Sequence, residues 1–171
     1  MKLTTKQLTL CAVLTAMALA LSYLENFFPL YLAIPVPGIK LGLANIVTVF
    51  AVFVLGPGEA AQILFGRIFL GAVFGNFGTI FYSAGGGLCA IGMTILLRRV
   101  LTKKQIWVAG ILGAISHSVG QMAVAIFMLG TPSIIVWLPV MVCVSIITGF
   151  FTGLCAQFLI NREKLWKIFS K

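Results

Sequence analysis

With 171 residues, 61% of them hydrophobic and only 9% charged, the chain has too little polar side-chain area to cover a soluble domain of its size. That excludes a water-soluble enzyme or carrier and leaves an integral membrane protein, with room for about six crossings at roughly 20 apolar residues each. The net charge of +9 does not indicate nucleic acid, because the lysines and arginines gather at helix ends and form no soluble basic face.

The first apolar run follows "MKLTTKQ" without a small-residue cleavage site, so it reads as a retained helix over residues 7–28 and not as a signal peptide. Ala12, Ala16 and Ala20 recur along it at four-residue spacing and make one smooth face that another helix can approach closely. A proline-rich loop follows, in which Pro35, Pro37 and Gly38 constrain the backbone, and Lys40 is expected to begin a second helix over 41–55. After "GPGE" comes a third helix over 60–75, and after "NFGT" a fourth over 80–97. The fifth spans 105–129 and the sixth 134–160, with Pro139 a candidate kink near its start. No hydrophilic stretch is long enough for another domain, so residues 1–171 read as a single six-helix transmembrane domain of the all-α class.

Six crossings put both termini on one side, and that side collects all but two of the twelve lysines and arginines. The positive-inside rule makes it cytoplasmic, in a multi-pass plasma-membrane protein surrounded by lipid. Lys40 and Arg67 are the two exceptions. Counting about 1.5 Å per residue from the helix ends places Arg67 and His117 near the midplane. The same count puts Glu25, Lys40, Asn45, Asn76 and Gln121 in the outer half.

An arginine at a helix centre costs about 2.5 to 3.5 kcal/mol on insertion scales, so it should face the bundle interior or a wet cavity. Glu25 is the carboxylate at membrane depth, and its depth matches Lys40 better than Arg67. An ion pair between Glu25 and Lys40 at the outer rim is therefore expected. Arg67 is then left to carbonyls, His117, water or an anionic ligand. The polar bias toward the outer half predicts an outward-opening pocket. Lys40, Arg67 and His117 would offer it charge or hydrogen bonds, and Asn45, Asn76 and Gln121 its neutral contacts. Plainer roles stay open: Arg67 as a cap on broken backbone, His117 as an interhelical hydrogen bonder, and Lys40 as a side chain snorkelling to water.

Cys11, Cys89, Cys143 and Cys155 show no CxxC pair and no histidine at ligand spacing, so they read as packing residues and no metal site is expected. "SAGGGLCAIG" and the Gly71/Gly75 pair allow either close helix contact or space for a ligand. There is no aspartate, and Glu25, Glu59 and Glu163 are far apart in sequence. The clustered oxygen ligands that would hold magnesium and diphosphate are thus missing. No Walker, haem, iron–sulfur or flavin-attachment motif occurs, so neither catalysis nor a resident cofactor is expected.

The alanine-striped first helix, "GIKLGLANIVTVF" and "LGPGEAAQILFGRIFLGAVFGN" together resemble the Gx transporter family, which also carries the label heptaprenyl diphosphate synthase component I. The resemblance covers nearly the whole chain and is most specific between Gly38 and Asn76. That family is similar in fold to the substrate-binding S components of energy-coupling factor transporters. The resemblance implies that the loop from Ile34 to Lys40 closes over an outward-facing small-molecule ligand. It also implies that Ala12, Ala16 and Ala20 dock on a transmembrane coupling subunit driven by separate ATPases. A different implication, from an association suggested for relatives, is a non-catalytic membrane scaffold in a flavin- or quinone-linked electron-transfer or prenyl-quinone assembly.

Overall fold

Inside hydrocarbon every backbone N–H and C=O must be satisfied by the chain itself, and all regular structure among the described residues is helical. The computed structural model describes residues 5–27, 40–74 and 78–162. Pro35, Pro37, Gly38 and Asn76 lie outside them, as does the basic tail after residue 162. The order is α1 (Thr5–Leu24), a 3-10 turn (Glu25–Phe27), α2 (Asn45–Val54), α3 (Pro57–Phe74) and α4 (Thr79–Arg98). Then follow α5 (Ile106–Leu129), a 3-10 segment (Pro132–Trp137) and α6 (Leu138–Ile160).

All six expected helices are present, but they are not six equal crossings. Four are long and apolar enough to cross a membrane: α1, α4, α5, and α6 together with the 3-10 segment before it. At ten residues α2 is about 15 Å long, half the roughly 30 Å hydrocarbon core. It begins at Asn45 and not at 41, because Gly42 takes a left-handed φ of 82° that interrupts helical geometry. Lys40 accordingly stands ahead of the helix and does not begin it. Pro139 is also corrected: it falls in the first turn of α6, where its missing N–H costs no helical bond, so it starts the helix and does not kink it.

The short helix is the centre of the bundle. Seven of the ten α2 residues are buried, and it touches all five other helices, so its composition is apolar all round. Val49, Ala51, Val52, Ile63, Leu64 and Ile106 form the middle of the core around it. In contrast, α1 buries only Cys11, Leu14 and Ala18, a stripe on one face, and packs mainly on α3. Its other faces display Leu8, Val13 and Met17, apolar side chains suited to lipid or to another helix.

The most extensive contacts join α5 to α6 and α5 to α4, and glycine makes them possible. A methyl group on Gly110 would lie 2.4 Å from the Cα of Gly153 and 2.5 Å from the carbonyl of Gly149, so the backbones of α5 and α6 touch. Gln157 of α6 accepts the N–H of Trp107 at 3.3 Å, binding the start of α5, while Ser118 and Ser145 share a buried hydroxyl bond of 2.5 Å between the two helices. Gly153→Val is expected to force the pair apart at a cost of about 1 to 3 kcal/mol. The check is the monodisperse yield and melting temperature of the variant in detergent, with Gly92→Ala, where a methyl meets nothing within 4 Å, as the silent control.

Candidate functional site

The polar residues expected at membrane depth converge. A cavity of about 180 Å³ opens between α1, α3 and α4, lined by Ser22 and Tyr23, by Lys40, by Arg67 and Ile68, and by Thr79 and Ser83. It lies at the ends of α1 and α3 and the beginning of α4, opposite the end that carries Arg98, Lys103 and Lys104. Two of its lining residues, Lys40 and Arg67, are the two cations that break the charge pattern of the chain.

Arg67 is 7% exposed on α3. Among the described residues it meets the charge of Glu25 and forms no hydrogen bond, an uncommon state for a group with five N–H donors. Glu25, 4% exposed, interacts with the charges of both Lys40 and Arg67. Its position has a second purpose that sequence alone did not reveal. The carboxylate Oε1 accepts the backbone N–H of Leu43, at the turn that leads into α2, where the helix dipole favours a negative charge. Thr148 of α6 holds the same turn from the other side, donating its hydroxyl to the carbonyl of Leu41 at 3.2 Å.

Behind Arg67 lies a neutral polar group of residues. Asn45 begins α2, and His117 and Gln121 are one turn apart on α5. All three are buried, and five of their atoms have no hydrogen-bond partner among the described residues: Asn45 Nδ2 and Oδ1, His117 Nδ1, and Gln121 Nε2 and Oε1. Glycines bring these parts together. A methyl on Gly86 would lie 2.8 Å from His117 Nδ1 and 2.8 Å from Gln121 Cγ, and one on Gly87 would lie 3.3 Å from Arg67 Nη2. The imidazole thus rests against the backbone of Gly86. Gly42 closes the other side, 2.9 Å by the same measure from Asn45 Nδ2.

The structure therefore brings Glu25, Lys40, Asn45, Arg67, His117 and Gln121 into one region. Asn76 falls outside the described residues. The triglycine of α4 gives close contact, one of the two purposes left open by the sequence. Gly85 meets the backbone of Gly120, at 3.1 Å from its carbonyl for an added methyl, whereas Gly86 and Gly87 leave room for the imidazole and the guanidinium. Ala12, Ala16 and Ala20 lie together on the exposed side of α1, away from the helix partners of that element.

A carboxylate against a helix start and two cations makes a stability prediction. Glu25→Ala is expected to lower unfolding free energy by about 1 to 3 kcal/mol, the loss for a hydrogen bond with a charged partner. Glu25→Gln should lose less, since the amide oxygen still accepts from Leu43. Equal losses in heat denaturation would show that the charge, and not the cap, is what Glu25 supplies.

The model of one protein family, described as heptaprenyl diphosphate synthase component I, matches residues 14–159. The chain belongs to that family. The match takes in α2 to α5, part of α1, all but the last residue of α6, and Glu25, Lys40, Asn45, Arg67, His117 and Gln121. The family description denotes one component of a larger assembly. No curated protein and no solved structure matches the chain.

Proposed function

We propose that the chain is a substrate-binding membrane subunit, similar in working to an S component, that captures a small anionic or amphipathic solute from outside the cell. The observation that carries this reading is Arg67, a buried cation that lines a cavity with Lys40 and has no hydrogen bond among the described residues. A buried charge is costly unless water or a partner reaches it, and an incoming anion would compensate it. The cavity lies at the end opposite the basic clusters; with those clusters cytoplasmic, it opens outward and both termini face the cytoplasm of a plasma-membrane protein.

Uptake needs energy that this chain has no motif to supply, so an ATPase pair acting through a transmembrane coupling subunit would drive release. The exposed alanine face of α1 is the proposed docking surface, since small side chains let a partner helix approach closely. The Ile34 to Lys40 segment would close over the bound solute. In this reading the chain itself is not an enzyme.

The direct test is gentle extraction of the native assembly, followed by mass spectrometry of its proteins and bound small molecules. Co-purifying ATPases with a coupling subunit support transport. The word component in the family description is equally consistent with one other reading, a non-catalytic scaffold for a prenyl-quinone or flavin-linked assembly. Recovery of a prenyl synthase or flavoprotein without ATPases would select it.

A further inference from the structure

We infer that the solute is a small monoanion whose other end carries an uncharged donor–acceptor group of the amide, lactam or ureide kind. This rests on the reading of the site as a solute chamber and adds the chemical class of the occupant.

The charge of the chamber sets the first half. Lys40 and Arg67 bring two positive charges and Glu25 one negative charge, with His117 counted as neutral. One positive charge remains to be balanced. A neutral solute would leave it uncompensated in a medium of low dielectric, and a dianion would replace it with an excess negative charge; both are costly.

The unpartnered amide atoms set the second half. Asn45 and Gln121 each leave both the nitrogen and the oxygen of a buried amide unsatisfied. Each such group is costly while unpaired. A hydrocarbon head would leave all of them so. A second carboxylate, which only accepts, would satisfy the amide nitrogens and not the oxygens. A head with a donor next to an acceptor matches both ends of both amides.

The two halves are close enough for one small molecule. Gly86 touches His117 and Gln121, and the next residue, Gly87, touches Arg67. The open cavity reaches Arg67 and is about 180 Å³, below the roughly 300 Å³ at which drug-sized pockets begin. The neutral residues do not line that cavity, so on this proposal Arg67 must shift for the head to reach them.

The test is the melting temperature of the full chain in detergent with four sets of probes. The first set is monocarboxylates with amide-type heads: hydantoin-5-acetate, pyroglutamate and N-acetylglycine. The others are cyclopentylacetate and hexanoate, the methyl esters of the first set, and the dianions succinate and glycerol phosphate. Native mass spectrometry of protein purified from its own cells gives the composition of any resident small molecule. The first set is expected to stabilise most. Gln121→Leu should remove its advantage over the hydrocarbon acids, and Arg67→Met its advantage over the esters, each by about 10-fold or more in affinity. Stabilisation confined to another set, or a resident molecule of another class, overturns the inference and leaves the chamber standing. If no probe stabilises the chain and no resident molecule is found, with the orphaned groups holding only water, the chamber reading fails as well.

Discussion

Arg67→Met is expected to leave the melting temperature of the protein unchanged or to raise it, while weakening solute binding by about 10-fold to 100-fold. The two effects have one cause. Arg67 is 7% exposed, meets Glu25 only through space, and forms no hydrogen bond among the described residues. Lys40 still compensates Glu25 after the change, so removing a desolvated charge offsets the attraction that is lost, where removal of a sole partner would destabilise. The loss in affinity follows from the charge-assisted hydrogen bonds that an anion would make to the guanidinium, about 1.5 to 3 kcal/mol. The measurement pairs thermal unfolding with retention of any small molecule recovered with the native chain. A structural arginine would give the reverse pattern, with stability falling and binding lost only through unfolding. Lys40→Ala should weaken binding less, because the lysine is only partly buried and water can take over part of its role.

The second large effect concerns α1. Ala16→Phe should abolish solute uptake in cells and the recovery of partner subunits, yet leave solute binding and stability of the isolated chain within experimental error. Ala16 is exposed, and so are Ala12 and Ala20. The buried residues of α1 are Cys11, Leu14 and Ala18, on a different face of the helix. A phenyl ring at 16 therefore meets no internal neighbour, and exposed substitutions of this kind change stability by about 0.5 kcal/mol or less. It would, however, hold a docking helix several ångströms away. Ala18→Phe is the contrasting variant. Ala18 is 2% exposed within the core, so that change should reduce stability itself. Uptake that survives Ala16→Phe would remove α1 from the partner interface.

Particular residues show where sequence reasoning reaches and where it stops. Arg67 and Lys40 stood out because ten other cations obey one topological rule and these two do not. His117, Asn45 and Gln121 were identifiable by depth, since hydrocarbon makes any polar group within the membrane conspicuous. Their mutual contacts were not identifiable in this way. Asn45 and His117 are 72 positions apart, and no spacing rule places them around the same glycine. Glu25 shows the same limit. Its charge and depth matched Lys40, but its hydrogen bond to Leu43 depends on an interrupted helix start that Gly42 creates.

By itself, the sequence determined that this is a membrane protein of six helices, because apolar runs, breaker residues and charge placement are local properties that the bilayer enforces one segment at a time. Only the tertiary structure decided that the shortest helix lies at the centre, that α5 and α6 touch through Gly110 and Gly153, and that the polar residues gather in one region. Those outcomes depend on which helix faces which neighbour. In a bilayer that choice is made by side-chain volume and backbone approach between distant segments, since lipid is as apolar as the helix surfaces and gives no preference of its own.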